Sequence, residues 1–173
     1  MARSSQTNDV FISEGVFYIK GVPVGLTRGG GQFLVERETK QIEADGDRGY
    51  VKGRIRITKA VPKLVINMLE IIGDNLPKMY AALKVTEEDS KKVVTGTGKI
   101  VDADYQDYVK FIGTTDKGQE VVIRIDNAIN LENIDWTLAD KDEVVPAITY
   151  IGCYLEDSPE GYEPWSVSYA TNA

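Results

Sequence analysis

The clearest pattern in the chain lies at residues 50–58, where Val51, Gly53, Ile55 and Ile57 alternate with Lys52, Arg54, Arg56 and Thr58. A period of two is the signature of a strand. Residues 32–44 just before it lack both Gly and Pro and mix apolar with charged side chains, and Asp45-Gly46-Asp47-Arg48-Gly49 between them has the composition of a turn. Together these predict a long β-hairpin. Charge suggests its register: Glu43 opposite Lys52 places Gln41 against Arg54 and Thr39 against Arg56, whereas a slip of one residue sets Lys40 against Arg54 or Arg56. That register leaves Glu38 and Lys40 on the same face as Ile55 and Ile57, so the hairpin has an imperfect apolar face and needs water or a neighbouring subunit.

Strands are predicted elsewhere by the same reasoning. Val16, Phe17, Tyr18 and Ile19 form a first strand at residues 15–20, and Gly21-Val22-Pro23 separates it from a second extended piece ending at Thr27. Arg28-Gly29-Gly30-Gly31 then reads as a flexible corner. Later strands are expected at residues 92–101, 105–114, 119–125, 134–138, 144–155 and 165–169, with the second and third of these joined as a hairpin around Thr115-Asp116-Lys117-Gly118. One segment reads differently. Leu64, Val65, Met68, Leu69 and Ile72 fall on a single helical stripe after Pro62 and before Gly73, which predicts a helix, with a second short helical turn between Asp74 and Leu83.

Composition narrows the chemistry. In 173 residues there is no His and one Cys, so His-based triads, Cys-His pairs, His-ligated metals and Cys-rich zinc sites are excluded. Neither a membrane-spanning apolar run nor a signal-peptide core is present, and the expectation is a soluble chain from a reducing compartment. Residues 1–9 are polar and unpatterned and are expected to form a flexible tail, leaving 10–173 as one domain. The net charge of −7 argues against nonspecific affinity for nucleic acid. It is unevenly spread, because residues 28–59 hold eight Lys/Arg against five Asp/Glu, a local +3 that leaves −10 for the rest.

Candidate sites are few. The glycines at 29–31 lack the Gly-Lys-Ser/Thr ending of a phosphate loop, and Asp45-Gly46-Asp47 lacks the later ligands of a calcium loop. The remaining carboxylates cluster at turns, where they are ordinarily solvated rather than paired across a catalytic cleft. Lys52, Arg54 and Arg56 form a basic row accompanied by one aromatic, Tyr50, which is poor provision for stacking bases. Cys153 lies in an apolar run and reads as a small core residue. No catalytic, cofactor or metal site is therefore expected, and the protein is not expected to be an enzyme.

The order of the pieces is more informative than any of these motifs. The VGLTRGGGQF segment at 24–33, Val51-Lys52-Gly53, the run from Val61-Pro62-Lys63-Leu64 through Leu69-Glu70-Ile71, and Glu163-Pro164-Trp165 resemble the major tail protein, or tail tube subunit, of long-tailed bacteriophages. The resemblance spans most of the chain through loose patterns. It implies a mainly β fold with one flanking α-helix, a β-sandwich or partly closed barrel carrying a long extended hairpin. Hexameric rings would close a β-barrel from six hairpins and stack into a tube in the virion tail, after synthesis in the host bacterial cytoplasm. DNA would pass through without specific binding, and other tail proteins would meet the tube ends. On this reading Thr39, Gln41, Glu43, Lys52, Arg54 and Arg56 are candidate lumen or subunit-contact residues. The tip, Asp45, Gly46, Asp47, Arg48 and Gly49, is the candidate ring-to-ring contact. A monomeric β-barrel binding a small ligand is the alternative.

Overall fold

The computed structural model describes residues 11–170, so the tail expected at 1–9 lies outside the described residues. The fold is mainly β with a single short helix. Its strands are β1 (Phe11–Ile19), β2 (Val22–Pro23), β3 (Thr27–Gln41), β4 (Ile55–Met68), β5 (Leu83–Glu88), β6 (Lys91–Gly96), β7 (Gln106–Thr115), β8 (Glu120–Ile129), β9 (Ala147–Gly152) and β10 (Trp165–Tyr169). The helix, α1, is one turn at Leu76–Met79. Eight strands form one antiparallel sheet in the order β2-β1-β7-β8-β9-β4-β3, with β10 also on β8, and β5-β6 form a separate two-stranded ribbon.

The sheet folds over itself because β8 changes partner along its length. Val121 to Ile125 pair with β10, while Ala128 and Ile129 pair with β9. The two halves enclose a core in which Phe17, Val109, Phe111 and Ile125 meet Leu64, Ile66, Met68, Ile148 and Tyr150. The sheet does not close, so the fold is consistent with a β-sandwich. At the open seam between β1 and β3, Gly31 lies against the Val65 carbonyl and the Phe17 ring, leaving no room there for a Cβ.

The helix expected after Pro62 does not form. Residues 55–68 are a strand in which Leu64, Ile66 and Met68 are buried and Val65 and Asn67 half-buried. The helical stripe omitted Ile66, which is fully buried, and included Ile72, which is 69% exposed. A period of two accommodates Ile66, and the β-branched Val61, Val65 and Ile66 favour the pleat. Pro62 is accommodated because pairing with β9 begins only at Lys63. Two smaller expectations also fail. Arg28 to Gly31 lie inside β3 at a register shift rather than at a corner, and residues 134–138 form no strand, since Trp136 leaves the pattern to donate to the Tyr80 hydroxyl at 3.2 Å. The predicted strand at 165–169 and the hairpin of β7 with β8 are observed.

Candidate functional site

The hairpin of β3 and β4 is longer than its core. Fourteen residues at about 3.3 Å each make β4 about 46 Å long. β9 covers it only from Lys63 to Asn67. Every β4 residue from Ile55 to Lys59 is exposed, and burial begins at Ala60. The distal part is thus a two-stranded arm, a form that is marginally stable in water without a further partner. Among the described residues β3 pairs with β4 alone, so its outer edge is open along its length.

The register differs from that expected by charge. Thr39 opposes Ile57, Lys40 opposes Arg56 and Gln41 opposes Ile55, which is the one-residue slip that like-charge repulsion argued against. A bulge explains it. Glu38 still pairs with Lys59, so Thr58 is the extra residue on β4, and its hydroxyl donates to the Glu38 carbonyl at 3.1 Å. The bulge moves Ile55 and Ile57 to the side occupied by Ala60, Leu64 and Ile66, extending the core-side face beyond the core. Apolar alignment outweighs one exposed like-charge pair. Glu38 and Lys40 consequently lie on the other face of the hairpin from Ile55 and Ile57, whose face they no longer interrupt with charge. The other face holds alternating charges, with Lys63 on Glu36 at 2.8 Å and Lys59 on Glu38 at 3.5 Å.

The six residues proposed for one face are distributed over several settings. Thr39 and Gln41 share the face of Ile55 and Ile57, Arg56 lies on the charged face, and Glu43, Lys52 and Arg54 belong to the loop beyond the strand ends. There is no basic row on one strand. The tip is a folded loop rather than a tight turn. Arg54 donates to both carboxylate oxygens of Asp47 at 3.1 and 3.0 Å, Asp47 accepts from the Ala44 amide, and the Gln41 side chain spans the Gly49 carbonyl and the Val51 amide. Asp47 is therefore spent on holding the tip together, while Arg48, Gly49 and Tyr50 face solvent, Tyr50 being 85% exposed.

A latch at the root of the arm escaped sequence reasoning. Arg37 of β3 donates through Nε and Nη2 to the two oxygens of Glu163 at 3.1 and 2.8 Å, and Glu163 also accepts from the Trp165 indole. These bonds, from Arg37 first and Trp165 second, hold the Glu163 carboxyl below its ordinary range. Phe33 packs on Trp165 at 5.7 Å. The EPW motif was visible in the sequence, but nothing there linked it to Arg37, 126 residues away.

Elsewhere, an open cleft of about 600 Å³ lies along the β1–β3 seam, lined by Phe11, Phe17, Phe33, Phe111, Leu64 and Ile123. Among the described residues no group of three or more His, Cys, Asp or Glu is placed to hold a metal, and no helix is long and apolar enough to cross a membrane. Cys153 is half-buried, and burial raises its thiol pKa. Neither a family model nor a curated protein matches the chain.

Proposed function

We propose that the chain is a structural subunit of a bacteriophage tail tube, self-assembling into stacked and, by its resemblance, hexameric rings. The observation that carries this reading is the arm, an exposed hairpin with an open edge and an apolar row at Ile55 and Ile57 that none of the described residues covers. Pairing arms edge to edge between copies removes the open edges and gives the row a partner. The charged face of Glu36, Glu38, Lys59 and Lys63 then lines the lumen, and the face of Thr39, Gln41, Ile55 and Ile57 turns towards the outer layer. Carboxylates beside Lys59 and Lys63 limit the attraction of these cations for phosphate, as a conduit for DNA requires. The assembled tube would belong to the virion tail, made in the host bacterial cytoplasm, with other tail proteins at its ends.

Negative-stain electron microscopy of the purified protein over a range of concentrations tests this. Rings or tubes of uniform diameter are expected, and particles of one chain's mass at every concentration count against it. The aromatic cleft at the β1–β3 seam favours the second reading, a monomeric small-ligand binder. That reading gains if a monodisperse monomer binds an apolar fluorophore saturably at one site per chain.

A further inference from the structure

The long axis of the hairpin has chemically opposite ends. At the tip, residues 40–56 carry five basic and three acidic side chains, a net +2. The pair Arg54–Asp47 is internal, whereas Lys40, Arg48, Lys52 and Arg56 have no carboxylate partner among the described residues. At the opposite end β4 reaches Met68, whose amide donates to the Pro146 carbonyl, and Asn67 pairs with Ala147. The segment leading into that point, residues 131–146, has no strand or helix and carries five acidic side chains against Lys141, a net −4. Among the described residues only Glu143 of the five forms an ion pair, with Arg28 at 2.6 Å.

Both ends also expose apolar side chains. Tyr50 and Ile42 stand at the tip, and Leu131, Ile134 and Leu138 at the acidic end, Leu138 being 80% exposed. The acidic segment is nevertheless held in place. Asn130 is buried and donates to the Met79 carbonyl at 2.7 Å, and Trp136 is bonded to Tyr80. Each end is thus a fixed surface with unpartnered apolar groups and a surplus of one sign of charge.

We propose that the basic tip of one copy docks on the acidic 131–146 segment of a second copy. This rests on the self-assembly reading and names the partner surface for its axial contact. The complementarity is head-to-tail, and because the two surfaces lie at opposite ends of the hairpin axis the contact repeats along that axis and builds a filament with direction. Charge sets the polarity, because tip against tip or acidic end against acidic end places like charges together.

Charge reversal tests it. One variant carries Arg48→Glu and Lys52→Glu, making the tip −2, and the other carries Glu132→Lys, Asp135→Lys and Asp140→Lys, making the far end +2. Assembly is followed by sedimentation velocity and electron microscopy, with circular dichroism to establish folding. Each variant alone should need about tenfold or more higher concentration than wild type to form filaments. An equimolar mixture should recover assembly, since the acidic tip of the first now meets the basic end of the second. If a reversed variant fails to fold, Arg48→Gln with Lys52→Gln supplies the same comparison, and raising salt from 0.05 to about 0.5 M should weaken wild-type assembly. Wild-type filaments whose formation neither variant alters, or a mixture no better than its components, overturn the docking while leaving self-assembly intact. A wild type that never assembles overturns both.

Discussion

Arg37 and Glu163 form a two-bond ion pair between the root of the hairpin arm and the loop entering β10. The pair crosses the sandwich, because β3 ends one half of the sheet and β10 lies on β8 in the other. Trp165 closes the arrangement from beneath: its indole donates to the same carboxylate, and the Arg37 guanidinium lies 5.8 Å from its ring centre. An arm free of its own core beyond Ala60 is thereby fixed in direction at its base.

The latch should titrate with acid. The folded carboxyl of Glu163 is held below its ordinary value of 4.5 by Arg37 and then by Trp165. Its stabilisation is therefore complete above that value and is lost as the pH falls through the lower folded value. At pH 7 Glu163→Gln should melt about 2–4 °C below wild type, the scale expected of one partly exposed pair in a chain of this length. Once the pH has fallen through the folded value the two melting curves should converge. A gap that stays constant throughout the acid titration would place the effect of the substitution in packing instead of charge.

Truncation distinguishes the strand at Ile55–Met68 from a helix through residues 62–72. Ile66 is fully buried and Ile72 mostly exposed. Ile66→Ala should cost about 2–5 kcal/mol, while Ile72→Ala should stay within about 0.5 kcal/mol. Urea denaturation measures both, and comparable losses at the two positions would restore the helical stripe.

Legibility of the fold followed the range of the interactions that build it. The hairpin of β7 and β8 and the strand at Trp165–Tyr169 are encoded by local alternation and turn chemistry, and both were readable. Residues 61–72 were ambiguous because Leu64 and Met68 satisfy a helical spacing and a period of two equally well, so Ile66 decides between them. The arm was expected, but its register was not. Charges at Glu43, Lys52 and Arg54 suggested a pairing that the bulge at Thr58 replaces, and a bulge is fixed by which apolar residues continue the core face. The latch of Arg37 and the clustering of acidic residues at 131–146 opposite the tip both depend on topology, which no local pattern carries.

The observed register makes a prediction with a sign. Lys40 and Arg56 oppose each other directly. Arg56→Glu should convert repulsion to attraction and stabilise the chain by about 0.2–1 kcal/mol, with the gain abolished when Lys40→Glu is added. The charge-based register places Arg56 against Thr39, and there neither the gain nor its dependence on Lys40 is expected. A double-mutant cycle in urea under dilute, non-assembling conditions reads the difference.

Ile57 separates folding from assembly. It is 54% exposed, its cross-strand neighbour is Thr39, and the bulge at Thr58 aims it to the core side at a level where the core has ended. A β-branched residue so placed contributes little to the isolated chain. Ile57→Thr keeps the branching and the strand propensity while replacing a methylene-bearing surface with a hydroxyl, so monomer stability should change by no more than about 0.5 kcal/mol. If the arm packs against copies of itself, the same substitution recurs at every interface of a ring, and filament formation should require markedly higher concentration. Pairing Ile57→Thr with Ile55→Thr should extend the effect, since Ile55 continues the same row. Sedimentation velocity beside urea denaturation gives both quantities on one sample. Loss of assembly with unchanged stability assigns the apolar row to contact between subunits, whereas parallel losses of both would mean that Ile57 serves the fold of its own chain.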